Sequence, residues 1–345
     1  MGEKMRGRRM IDRWEDDNKS FLKLNIKNKV LPTIYGGIIG DMLGVPVEFK
    51  KRGDFHVQDM VGYGTYNQPP GTWSDDTSLT LCLMENMIEK GNINDLMQKF
   101  KLYQDEGYWT PYGEMFDIGR TTVEAITRFR KGVLPEKCGG QSEFDNGNGA
   151  LMRISPLVFI LHKEFDFVKK AEMIKKYTEI THAHPRAIVG SIIYVELLLR
   201  LYYNNSIDTS LREVKELFDE NFKKEHIYHK ELTHYKRIFE KSFLNTPREE
   251  IRSDGYVVHT LEAAIWCFGT TSSFTEAVLT AVNLGEDTDT VASITGSIAG
   301  MYYKLDGIPG DWLEKIARKQ DVDKLIEEFY QYCADKAIIE QYGDI

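Results

Sequence analysis

The 345-residue sequence is poor in cysteine, and its four residues, Cys82, Cys138, Cys267 and Cys333, stand far apart with no CxxC spacing. That excludes a disulfide framework or a thiolate zinc site and points to a reducing, cytoplasmic setting. Positive charge is also short. With 44 Lys and Arg against 53 Asp and Glu, the net charge is −9, which leaves no electrostatic footprint for nucleic acid. The longest apolar run, residues 192–203, is interrupted by Glu196 and Arg200 and is too short to span a bilayer. Lys4, Arg6, Arg8, Arg9 and Arg13 have no apolar stretch behind them, which argues against a secretory signal. Internal repeats and low-complexity tracts are lacking too. These absences predict a soluble globular protein without nucleic-acid or membrane partners, and nothing in the composition demands an oligomer, so a monomer is expected.

Alternating apolar and polar strands separated by hairpin turns are missing as well, whereas helical periodicity recurs from Tyr35 to Tyr342. The prediction is an all-α fold. Residues 1–29, charged and weakly patterned, read as an extension, an arm or a short helix, with the domain itself covering 30–345. Small residues recur at helix-contact spacing in Gly36, Gly37, Gly40 and Gly44 and again in Ala292, Gly296, Ala299 and Gly300. They either relieve crowding in a helical core or let two helices approach and set their ends side by side.

Two acidic strings stand out against this background: Ser74-Asp75-Asp76-Thr77 and Asp287-Thr288-Asp289-Thr290. Each follows a turn-forming glycine, Gly71 or Gly285, and opens a helical apolar pattern. Helix N-termini accept Asp and Thr readily, so one such string alone would be explained by capping. Asp75 and Asp76 are adjacent, however, so at most one can cap, and Asp287 and Asp289 repeat the excess. Clustered carboxylates repel unless a cation or a proton lies between them. Carboxylates and hydroxyls without a nearby His or Cys suit hard ions, Mg²⁺ or Mn²⁺, better than zinc or copper. A two-cation site is expected.

Between the strings lie three polar loops: Asp117-Ile118-Gly119-Arg120, residues 145–153 around Gly147-Asn148-Gly149, and Thr181-His182-Ala183-His184. The glycine turn can present backbone N–H groups to a phosphate or diphosphate, although Asn-Gly also marks ordinary turns. His182 is read as a hydrogen-bonding residue and His184 as structural.

Taken in order, residues 36–49 (Gly36-Gly37 through Glu48-Phe49), Ser74-Asp75-Asp76-Thr77, Asp117-Ile118-Gly119, Gly147 to Arg153, Thr181-His182 and Gly285 to Thr290 resemble the ADP-ribosylglycohydrolase family. The resemblance runs from about residue 31 to about residue 315. It implies a compact, single-domain helical fold with a binuclear Mg²⁺ or Mn²⁺ cleft ligated by Ser74, Asp75, Asp76, Asp287, Asp289 and Thr290. It further implies cleavage of the glycosidic bond between ADP-ribose and a modified side chain, arginine in the first place, releasing ADP-ribose and reversing mono-ADP-ribosylation, with Asn146, Gly147, Asn148, Gly149, His182 and Tyr256 binding substrate. Tyr256 either stacks on the ligand or packs the cleft wall. Asp117 matches the acid/base position of the arginine-specific, dinitrogenase-reductase-activating members, and Glu48 a carboxylate beside the metals. These two are the expected catalytic residues. Glu286 adds a negative charge where many members have glycine. The expected partner is an ADP-ribosylated protein. Two alternatives are an immunity protein that meets an ADP-ribosyltransferase through its N-terminal arm, and a hydrolase of serine-linked, nucleobase-linked or small-molecule ADP-ribose.

Overall fold

A computed structural model describes the backbone of residues 2–343 and the side chains of residues 17–343. Fourteen α-helices make up the described residues, with short 3-10 turns between them and no β-sheet. They are α1 (Gly2–Gly44), α2 (Asp75–Ile88), α3 (Ile93–Glu106), α4 (Arg120–Arg130), α5 (Val158–Leu161), α6 (Phe167–Thr178) and α7 (Pro185–Tyr202). The second half contributes α8 (Ile207–Asn221), α9 (Ile227–Leu232), α10 (Val257–Gly269), α11 (Phe274–Val282), α12 (Thr288–Tyr303), α13 (Gly310–Glu314) and α14 (Lys319–Tyr342).

One helix crosses the boundary expected at residues 29 and 30. Ile26, Val30, Ile34 and Ile38 recur every four residues along α1, and all four are buried in the core. The surrounding lysines hide this ladder in the sequence; no break separates an extension from the body at that point. Residues 17–47 are long and apolar enough to cross a membrane by length and composition, but 89% of the most apolar window is buried inside the protein. The apolar pattern of residues 152–162 reads as one helix in the sequence, but it folds as a 3-10 turn, Ser155–Leu157, followed by the single turn α5. Pro156 accounts for this, since it has no N–H to donate and disfavours helical geometry in the residue before it.

Helices α1 and α12 run antiparallel in close contact. A Cβ on Gly40 would lie 2.0 Å from the Ala292 carbonyl oxygen, and one on Gly44 would lie 2.3 Å from the Asp289 backbone nitrogen. Only glycine permits this approach. Because the helices are antiparallel, the C-terminus of α1 arrives at the N-terminus of α12, and the Thr288 hydroxyl locks the junction by donating to the Gly44 carbonyl at 2.8 Å.

Candidate active site

Asp41, one turn before the end of α1, fixes the other acidic string. Its fully buried carboxylate accepts from the Ser74 amide at 2.9 Å, the Thr77 amide at 3.0 Å and the Thr77 hydroxyl at 2.6 Å. The first turn of α2 therefore hangs from α1, while the Ser74 hydroxyl caps α2 by accepting from the Asp76 amide. A third segment closes the corner: the Phe49 amide donates to the Glu286 carbonyl and the Glu286 amide to the Lys50 carbonyl. Glu48 is thereby held against the start of α12.

The strings meet directly. Thr290 donates its hydroxyl to Asp76 at 3.1 Å across 214 residues of sequence. Glu48, Asp287 and Asp289 each bring a carboxylate oxygen within 4.8 Å of the others, an arrangement able to hold a metal ion. Oxygens of Glu48, Asp76 and Asp287 are buried without any hydrogen-bond partner. Buried carboxylate oxygens are costly when unpaired, and a cation would satisfy all three. The electrostatics agree. Burial raises the carboxyls of Asp75, Asp76 and Asp289 well above the usual range, and neighbouring carboxylates add to the effect. Glu48 is pushed up to about 8 by burial and by the charges of Asp117 and Asp287. Asp287 and Asp117 are also raised, chiefly by burial.

A cleft of about 390 Å³ opens over this cluster, lined by Glu48, Asp75, Asp76, Asp117, Asp287 and Thr290 on one side and by Gly147, Asn148, Gly149 and His182 on the other. The exposed rings of Phe49 and Phe144 border it. A larger cavity, about 1230 Å³, shares no residue with the cleft and lacks its carboxylates. Two isolated backbone bridges tie the loops opposite the carboxylates: Gly147 pairs with Tyr256, and Gly140 with His182.

The loop residues divide their work in ways the sequence does not reveal. Asn148 directs its side-chain amide to Asp287 at 2.8 Å and to the Thr260 hydroxyl at 2.9 Å, and gives its backbone amide to the Gly255 carbonyl. It braces a carboxylate of the cluster. The amides of Gly149 and Ala150 donate to no acceptor among the described residues. Asn146 is buried behind the cleft and donates to the Glu143 carbonyl. Tyr256 lies outside the cleft lining, its hydroxyl accepting from Arg186 and its ring packed edge-on against His259. His184 caps α7 by accepting from the Arg186 amide. Glu286 points away from the cluster into a separate hollow shared with Arg52 and Asp254.

Two site residues escape a reading of the sequence. Asp41 is one, and Tyr66 is the other: it stands beside Glu48 and Asp117, whose charges add to burial in raising its phenol, and its ring leans on Phe116 at 5.0 Å.

Fold and site together define a class: an all-helical protein in which buried carboxylates at two helix N-termini face a loop of free backbone amides across a cleft. The chain belongs to the ADP-ribosylglycohydrolase family, whose profile matches residues 22–338. It is 32% identical to the ADP-ribosylarginine hydrolase Tri1 of Serratia proteamaculans, over 90% of this chain and 81% of that protein. It is 26% identical to the ADP-ribosyl-[dinitrogen reductase] glycohydrolase of Rhodospirillum rubrum, over 86% of this chain and 92% of that one. A solved ADP-ribosylglycohydrolase-related protein complex superposes with a TM-score of 0.74 at 28% identity, covering 90% of this chain and 99% of that chain.

Proposed function

We propose that this chain hydrolyses the N-glycosidic bond between ADP-ribose and arginine side chains of modified proteins, releasing ADP-ribose. The observation that carries this reading is the cleft itself, with a cation-demanding carboxylate cluster on one wall and free loop amides on the other. Relatives named for ADP-ribosylarginine and for ADP-ribosyl-dinitrogen reductase support the substrate class.

The donor set of Asp75, Asp76, Asp287, Asp289, Thr290 and Ser74 fits two divalent cations, Mg²⁺ or Mn²⁺, with Glu48 beside them. When bound, such ions would grip oxygens of the distal ribose and polarise the reacting centre. The chain supplies the rest. The free amides of Gly149, which lines the cleft, and of the adjoining Ala150 are available to a diphosphate. The rings of Phe49 and Phe144 offer apolar surface to a nucleobase. Breaking the bond asks for a proton on the departing guanidine nitrogen. We assign that role to Asp117, because burial raises its carboxyl and it lines the cleft beside Glu48.

The test is a competition between linkages. Purified enzyme with Mg²⁺ or Mn²⁺ is offered one protein ADP-ribosylated on arginine and another on serine. Faster release from arginine is expected; release from serine alone would overturn the substrate assignment.

A further inference from the structure

Beneath the glycine loop lies a buried guanidinium that the reading above does not use. Arg153 is 1% exposed, and no carboxylate forms an ion pair with it among the described residues. Its donors go to the Gly149 carbonyl at 3.0 Å, the Tyr177 carbonyl at 2.9 Å and the Thr181 hydroxyl at 3.1 Å. The guanidinium also lies 5.0 Å from the centre of the Phe100 ring. The Thr181 oxygen in turn lies 2.8 Å from His182 Nδ1.

The direction of this chain follows from the groups themselves. A guanidinium only donates, so Thr181 Oγ must accept from it. The hydroxyl hydrogen then has one acceptor among the described residues, His182 Nδ1. Nδ1 therefore carries the lone pair and Nε2 carries the proton. Burial, helped by the nearby Arg153 charge, pushes the imidazole down to about 3 and keeps it neutral. Nε2 lies on the cleft side: a Cβ on Gly149 would be 3.4 Å from it, and one on Gly147 would be 3.6 Å away.

We propose that Arg153 and Thr181 are positioning residues that set His182 as an Nε2–H donor to a phosphoryl oxygen of a diphosphate seated on the Gly147–Gly149 loop. This deepens the ADP-ribose reading and rests on it for the ligand. Arg153, lacking a carboxylate of its own, supplies positive potential under the same loop.

Two measurements on the full-length protein test it. Long-range proton–nitrogen correlation spectra of ¹⁵N-histidine-labelled protein, with His182 assigned through His182→Gln, should show the Nε2–H tautomer from about pH 6 to about pH 8, where burial keeps the ring neutral. An Nδ1–H tautomer or a doubly protonated ring in that range would overturn the proposal. Calorimetry with ADP-ribose should show binding weakened about 10- to 100-fold in Thr181→Val, the scale of one hydrogen bond to a charged group, and restored to within about 3-fold in Thr181→Ser. KM should rise more than kcat, and affinity for adenosine, which lacks the diphosphate, should not change. Thr181→Val binding ADP-ribose as tightly as wild type would also overturn it. Should Thr181→Val fail to fold, the wild-type tautomer and the Ser variant still decide. Wild type that binds ADP-ribose with the stated tautomer but does not cleave ADP-ribosylarginine would support this proposal and sink the activity.

Discussion

A carboxyl buried among carboxyls keeps its proton unless a cation takes the proton's place, and that choice sets the chemistry of each residue in the cleft. Asp117 stands half-buried at the edge of the cluster, and its raised carboxyl suits a proton donor. Asp117→Asn should lower turnover about 10²- to 10⁴-fold while calorimetric Mn²⁺ binding persists. Unchanged turnover would remove Asp117 from the mechanism. The acidic strings were legible in the sequence because two adjacent Asp exceed what a helix cap can use. Asp41 was not. It lies in a recognised motif, but its partners are 33 and 36 residues away on another helix, and periodicity reports a face without reporting what meets it. Tyr66 belongs to a loop with no periodic signal, and the Asn148 link to Asp287 looks in sequence like an ordinary Asn-Gly turn.

Among the elements, α1 is the rail on which the site is assembled: Asp41 holds α2, Gly40 and Gly44 admit α12, and the chain leaving its end delivers Glu48. A methyl group on Gly40 would meet backbone, which cannot rotate aside. Gly40→Ala should therefore destabilise the protein by on the order of 1–3 kcal/mol and weaken metal binding as α1 and α12 separate. Gly310→Ala, where an added Cβ meets nothing within 4 Å, should leave thermal stability almost unchanged. Equal effects of the two in a thermal melt would contradict this role for α1. Helix positions were readable from their periodic apolar faces. The start of the body was not, because charged neighbours masked the Ile26–Val30 ladder, and neither was the broken helix at Pro156.

For the molecule as a whole, the cluster ties stability to pH and to metal. Unfolded carboxyls titrate near about 4. In the folded chain Glu48 is raised to about 8 and Asp41 to about 6, with Asp75, Asp76 and Asp289 also raised. Between these limits the cluster's carboxyls hold more protons in the metal-free folded state than in the unfolded state, a contribution to stability that falls as pH rises and that, being carried by several groups, is expected to outweigh the opposite contribution of the buried, neutral His182. Divalent cations compete with those protons. Chelator-treated protein should melt at a lower temperature at about pH 8 than at about pH 5.5, and Mn²⁺ should raise the melting temperature more at the higher pH. A metal-free melting temperature that climbs across this range would contradict the cluster's electrostatics. The central claim is that these carboxylates form the metal centre of an ADP-ribose hydrolase. It is tested most directly by ADP-ribose release from an arginine-modified protein, with Mg²⁺ or Mn²⁺, for wild type, Asp75→Ala and Asp287→Ala. Release by wild type and its loss in both folded variants is the predicted result; release by either variant at the wild-type rate, or none by wild type with either metal, would contradict the account.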